Sequence, residues 1–470
     1  MLFNSLTFVL FFTLVYSLYR ALPHRAQNLM LLAASYLFYA SWDWRFLSLI
    51  LISTVVDFFC GRAIHAAADR SWRRAYLILS VSTNLTLLGF FKYFNFFMDS
   101  LDGLVRFFGF TPDPIALKVI LPVGISFYTF QTMSYTIDIY RGKLEPEPRA
   151  LNFALFVAFF PQLVAGPIER ATRLLPQIRH PRRMDFPTIE AGLWYLFWGY
   201  FLKVFVADNL AGIVNATFNA PATPDGAQVL VATYAFAFQI FGDFAGYSCI
   251  AIGIGKLMGF HLMINFQFPY LVTNPRDFWR HWHISLSRWL ADYLYVPLGG
   301  NRGSRLMLYR NLALTMLLGG LWHGASWTFV IWGAYQGGIL ILHRLFTGDA
   351  SSARPLRGIP RIAAVIFMFH LTCVGWLIFR AQSLEQLGSL ALALVTDMGL
   401  PTPATLHALL QVIFFTWLLL VVQAVQRFKD DDLGLLRTPN WLRAPLLVAM
   451  FYCLLIWGVF GGKEFIYFQF

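Results

Sequence analysis

Residues 276–301 read RDFWRHWHISLSRWLADYLYVPLGGN, the densest mixture of charged, histidine and aromatic side chains in the chain. Arg276, Arg280, His281, His283, Arg288 and Asp292 lie among Trp279, Trp282, Trp289, Tyr293 and Tyr295. Lys256 precedes this stretch, and Arg302 and Arg305 follow it. Basic residues mark the cytoplasmic ends of membrane segments. A segment with two basic flanks enters and leaves from one side. The fold to expect is therefore not a plain up-and-down bundle, because some segments turn back.

The surrounding sequence supplies the membrane. Its 470 residues are 58% hydrophobic, 18% aromatic and only 13% charged. Soluble domains are roughly 45–50% apolar and about 25% charged. Apolar runs recur that are long enough to cross ~30 Å of hydrocarbon. The expected class is an all-α polytopic membrane protein with about 11 spanning helices plus re-entrant and amphipathic segments. No long polar linker separates the runs, so a single membrane domain over residues 1–470 is expected. A net charge of +12 would suit a nucleic-acid binder, but Lys and Arg fall mainly in short loops between the runs. That placement points to a lipid bilayer and to no nucleic acid. Cys60, Cys249, Cys373 and Cys453 stand singly in apolar runs, with neither metal-ligand nor disulfide spacing.

Charge placement orders the spans. The N-terminal run lacks a basic start and a small-residue cleavage site, so it is expected to be an uncleaved first span. Arg20 and Arg25 follow it and place the first loop in the cytoplasm. Spans are expected near 3–19, 28–42, 46–61, 76–95, 119–139, 192–213, 229–254, 360–379, 407–426 and 444–461. Residues 96–117, with Asp99, Asp102, Arg106 and Asp113, are assigned to the outside. The run 151–165 is about 15 residues, roughly 22 Å of helix, too short to cross. Arg149 and Arg170 flank it, so it too is expected to be re-entrant. Runs 308–322 and 328–343 form a hairpin between Arg310 and Arg344, with Arg354 further marking the cytoplasm.

Within 276–301, Phe278, Trp282, Leu286, Trp289 and Tyr293 recur at helical spacing, which predicts one continuous amphipathic helix. Arg276, Arg280, His283 and Ser287 fall on another face. Val296–Pro297–Leu298–Gly299–Gly300 ends the helix. The hairpin turn reads LLGGLWHGASW and carries His323 in otherwise apolar sequence. An ionisable side chain at membrane depth is costly and marks function by default. Imidazole also titrates where a general base is needed. His283 is the second candidate. Arg280, Trp282, Ser287, Trp322 and Asn301 are candidate substrate contacts. His281 and His283, two apart on a helix, point to nearly opposite sides, which disfavours a shared metal ion.

DFWRHWHISLSRWLADYLYVPLGGNR followed by LLGGLWHGASWTFVIWG resembles the signature of the membrane-bound O-acyltransferases. The resemblance is strongest to the bacterial branch that holds the alginate O-acetyltransferase and teichoic-acid D-alanylation membrane subunits. ILPVGISFYTFQTMSYTIDIYRG (120–142), FFPQLVAGPIER (159–170), FGDFAGYSCIAIGIGKLMGF (241–260) and FIYFQF (465–470) fit the same branch. The resemblance implies a ring of tilted helices around a thinned centre with a central tunnel. It implies that His323, in the WHG motif, is catalytic and that His283, in WHISLS, is the second polar position. It further implies acetyl-CoA as donor substrate with no bound cofactor, and a periplasmic or membrane-anchored acyl-accepting partner protein. The acceptor would be an exported polysaccharide and the location the bacterial inner membrane. At His281 and Ala291 the chain lacks the basic residue common in that family. Two other readings fit the sequence: a transporter or polysaccharide-export channel lined by histidines, and a lipid acyltransferase.

Overall fold

The computed structural model describes residues 1–110, 119–164, 166–348, 356–461 and 465–466. Asp113, Arg354 and the last four residues of FIYFQF lie outside them. Among the described residues all regular structure is helical. Eight helical stretches are long and apolar enough to cross a membrane, and Leu6–Ala21, Ala150–Leu163 and Leu384–Thr396 are shorter apolar helices. Leu6, Leu10, Leu14, Phe346, Phe367, Leu410 and Phe451 remain exposed on their helices. Apolar surface on that scale suits lipid, not water. The protein is a polytopic helical membrane protein.

The chain packs as two compact units. The first comprises Met1–Gly192 and Ala251–Met263. Its continuous helical stretch His24–Ala66 has 43 residues, about 64 Å if straight and twice the hydrocarbon thickness. Asp43 takes an extended conformation and its carboxylate accepts the Arg45 N–H, so the stretch divides into His24–Asp43 and Leu47–Ala66. Residues 96–107 continue the helix Arg70–Leu88 through a π-helical turn at Gly89–Tyr93 into Phe94–Phe107. The turn absorbs Lys92, and the Asp102 carboxylate pairs with Arg106 one turn on. Its i,i+4 pair supports a helix.

Ala150–Ala158 is only nine residues long, about 14 Å, and its residues from Asn152 on are almost wholly buried. Arg182 is half-buried and held by three partners. Its guanidinium donates to the Tyr19 hydroxyl, Asn28 Oδ1 and Gln27 Oε1. Buried Asp57, on Leu47–Ala66, ties three helices together. It accepts from Ser80 Oγ at 2.6 Å and Asn84 Nδ2 at 2.8 Å. Ser80 Oγ in turn meets Thr136 Oγ1 at 2.8 Å, and Thr132 Oγ1 donates to Asn84 Oδ1.

The second unit comprises Leu193–Ile250 and Ile264–Phe470. Gly226–Leu257, with 32 residues, has the most buried apolar window of the eight. Arg305–His323 and Trp327–Thr347 form the expected hairpin. Their axes approach closely where Gly320 faces Gly333: a Cβ on Gly333 would come 2.5 Å from the Met316 carbonyl oxygen. Small residues permit such contact between membrane helices.

Interhelical hydrogen bonds in membranes are each worth about 0.6–2 kcal/mol. Ser80→Ala and Asn84→Ala should each lower stability by about 1 kcal/mol. Asp57→Asn should cost less than Asp57→Leu, which strands both donors. Denaturant titration of the purified protein in detergent measures both comparisons.

Candidate active site

The stretch that opened the reading is not one helix. Asn274 caps Pro275–His281: its Oδ1 accepts the Asp277 N–H at 2.8 Å, and Pro275 takes the first helical position. The helix stops at His281. Trp282 is extended, and His283 is left-handed with φ 42° and ψ 54°. A second helix, Ile284–Leu290, starts there and runs into a π-helical turn at Ala291–Tyr295. A non-glycine residue in this conformation costs of order 1–3 kcal/mol and persists only when its surroundings enforce it.

Asn265 is what enforces it. Its backbone oxygen accepts the Ile284 N–H at 2.9 Å, and its Oδ1 accepts both the Ser285 N–H at 3.2 Å and Ser285 Oγ at 2.7 Å. These are first-turn donors that no helix can satisfy internally. Asn265 Nδ2 is itself held by Ser248 Oγ. The break has a packing consequence. Neighbouring residues on a helix point about 100° apart, whereas the break lets Trp282 pack on Phe278 and Trp376 while His283 meets Phe244 and Trp322. Here both are 0% exposed. The continuous helix predicted from spacing is thus corrected to two short helices with a strained joint at His283.

His323 ends Arg305–His323, where Gly324 turns the chain to extended backbone. It is 3% exposed. The His283 and His323 ring centroids stand 6.3 Å apart. Trp322 lies 5.8 Å from the first and 5.2 Å from the second. Phe244 meets His283 edge-on at 4.6 Å. Trp332 and Phe379 meet His323 at 5.0 and 5.6 Å. Two imidazoles from segments some forty residues apart therefore share one cluster of aromatic rings.

The other candidates divide. Trp282 stays with the aromatic cluster, stacked on Phe278 and 4.7 Å from Trp376. Trp322 stands beside both histidines. Ser287 lies one turn past the joint, where its hydroxyl donates to the Trp282 carbonyl. Arg280 turns outward, 59% exposed, and pairs with Asp277. Asn301 is exposed and accepts the Tyr295 hydroxyl. Arg276 and Arg288 are exposed too. The break at His283 explains the separation, since it detaches the Arg280 face from the His283 face. His281 lies at a different place from His283. It lines a cavity of about 530 Å³ with Asn274, Asp277, His343, Arg361 and Arg427.

Several residues escaped the sequence reading. Asn265, Phe244, Trp332 and Phe379 lie 18 to 96 residues from His283 by number, and no periodic pattern links them. A further group is buried in the same unit. Lys203, in the π-helical Phe201–Ala207, bridges Asp208 at 2.9 Å and Asp243 at 2.6 Å. Asp243 Oδ2 also accepts the Ile466 N–H, and Phe465 packs on Phe244. An isolated Lys in FLKVF was the available signal, since a buried charge in a membrane needs a partner.

Asn265→Ala should remove the acceptor of the buried Ser285 N–H and hydroxyl, at about 1–3 kcal/mol in all. The expected outcome is at least a tenfold loss of activity in protein that still inserts and purifies as a monodisperse peak.

The sequence model of MBOAT, the membrane-bound O-acyltransferase family, matches residues 143–381 and so includes both histidines. Similar proteins agree. The "Probable alginate O-acetylase AlgI" of Azotobacter vinelandii is 45% identical over 389 residues, 82% of this chain and 76% of that protein. Its counterpart in Pseudomonas putida is 39% identical over the full length of both. The "Peptidoglycan O-acetyltransferase" of Helicobacter pylori is 37% identical over 82% of this chain and 78% of its own.

Proposed function

Because the chain belongs to the membrane-bound O-acyltransferase family and is an O-acyltransferase, we propose that it moves an acetyl group from a cytoplasmic thioester, acetyl-CoA, across the bacterial inner membrane. The acceptor is a hydroxyl on an exported polysaccharide, reached directly or through a periplasmic or membrane-anchored acyl-carrying partner. The relatives named for alginate and peptidoglycan acetylation support a polysaccharide as the final acceptor.

One observation carries the chemical reading: two buried imidazoles 6.3 Å apart in one aromatic cluster. His323 takes the proton of the attacking hydroxyl as its oxygen bonds to the thioester carbonyl carbon. The tetrahedral intermediate then expels the thiolate by breaking the C–S bond. His323 returns the proton to that sulfur, leaving an ester and a free thiol. His283, held by its strained joint, positions the donor or steadies the intermediate. The thioester is already activated, so the protein mainly aligns two groups and handles one proton. General-base assistance alone contributes ~10²–10⁴-fold. Burial also strengthens each polar contact made there.

The test uses membranes carrying the full chain and acetyl-CoA labelled in the acetyl group. His323→Ala should cut label transfer to polysaccharide by about 10²–10⁴-fold, and His323→Gln, which keeps a similar shape, should not rescue it. Transfer that persists in His323→Ala would remove this residue from the chemistry.

A further inference from the structure

The cavity of about 530 Å³ beside His281 has an unusual lining. His281, His343, Arg361 and Arg427 all border it. They come from four helices: the end of Pro275–His281, the last part of Trp327–Thr347, the first turn of Ile359–Arg380 and the last turn of Pro403–Lys429. Asp277 is the one carboxylate among the described lining residues, and it is already committed. Its Oδ1 accepts from Arg280 at 3.2 Å and its Oδ2 from Asn274 Nδ2 at 2.7 Å.

The cationic side chains are not matched in the same way. Neither the Arg361 guanidinium nor the His343 ring makes a hydrogen bond among the described residues. His281 Nδ1 donates to the Asp277 carbonyl at 2.7 Å, which leaves Nε2 to the cavity. Arg427 meets Asp430 at 2.9 Å in an exposed pair. Such pairs are weak, so this guanidinium can turn to a better anion. Two guanidiniums and two imidazoles offer more donors than a single carboxylate can use. A phosphate ester or diphosphate carries more charge and more acceptor oxygens, and guanidinium forks match it. The volume lies in the ~300–1,000 Å³ range of organic ligand sites, and Phe268, Leu271 and Val272 give the cavity an apolar side.

Position narrows the choice. His343 lies eleven residues beyond Trp332 on one helix, a rise of ~16 Å. Trp332 meets the His323 ring at 5.0 Å. In coenzyme A about thirteen bonds separate the thiol sulfur from the first phosphorus, or ~16 Å when extended. A thioester at His323 therefore brings the donor's phosphates level with His343. We propose, on the acetyl-CoA reading above, that this cavity is a phosphate site in which Arg361, Arg427, His281 and His343 hold the diphosphate of the donor. An anionic lipid headgroup shares the chemistry but not the spacing.

Binding to the full chain in phosphatidylcholine nanodiscs, measured by titration calorimetry, tests this. The probes are coenzyme A and pantetheine, the same thiol arm without phosphate. Coenzyme A should bind about tenfold tighter or more, the scale of one charge-assisted hydrogen bond. Arg361→Gln and Arg427→Gln should each narrow that ratio severalfold, and the corresponding Lys variants should keep more of it. Arg302→Gln, an exposed charge away from the cavity lining, should leave it as it was. Equal binding of the two probes, or a ratio that survives both Gln variants, overturns the proposal while leaving the thioester reading intact. A ratio that phosphatidylglycerol abolishes in the parent, through Arg361 and Arg427, gives the cavity to a lipid headgroup and overturns the donor assignment. If neither probe binds while membranes carrying the same chain still acetylate polysaccharide, the acetyl-CoA reading fails and takes the proposal with it.

Discussion

The proposed reaction centre depends on a backbone constraint: His283 in a left-handed conformation, enforced by Asn265. Without that joint, Trp282 and His283 would point to different sides of one helix, and the histidine would share a face with Arg280. With it, Trp282 packs among the rings and His283 turns inward to within 6.3 Å of His323. The strain of order 1–3 kcal/mol is offset by three hydrogen bonds to Asn265 and by burying an indole and an imidazole together. Strain stored at a joint and balanced by its surroundings is characteristic of sites that need fixed geometry.

The aromatic cluster serves the same end. Apolar rings bury both imidazoles, and burial gives each remaining polar group more weight. Asn265 is not interchangeable with the apolar residues around it, because it is spent on the joint. The close packing of Gly320 on Gly333 keeps Trp332 and His323 on one rigid hairpin. Their spacing is then fixed by local structure.

Much of the architecture was legible because membranes restrict the choices. Apolar length gives spans, and most predicted spans coincide with helices of the structure to within a few residues. His323 stood out because an imidazole in LLGGLWHGASW is costly at membrane depth, and the structure buries it beside His283. Periodicity misled at 276–301, where a stripe of large apolar residues fits a single helix equally well. The break comes from Asn265, a tertiary contact that spacing cannot encode. The same limit hid Lys203, Asp208 and Asp243, which neutralise one another only once the helices pack. Charge did not reveal that residues 96–107 are helical, where Asp102 and Arg106 pair one turn apart.

The account's central claim is that His283 and His323 act in one reaction centre. A double-mutant cycle on kcat/KM for acetyl transfer addresses it most directly, using His283→Ala, His323→Ala and the pair in folded, membrane-inserted protein. Residues acting as a unit are strongly non-additive, whereas independent ones multiply their effects. The account predicts that the double variant loses little more than the worse single variant. Losses that multiply in full would mean two separate roles, and would contradict a shared centre.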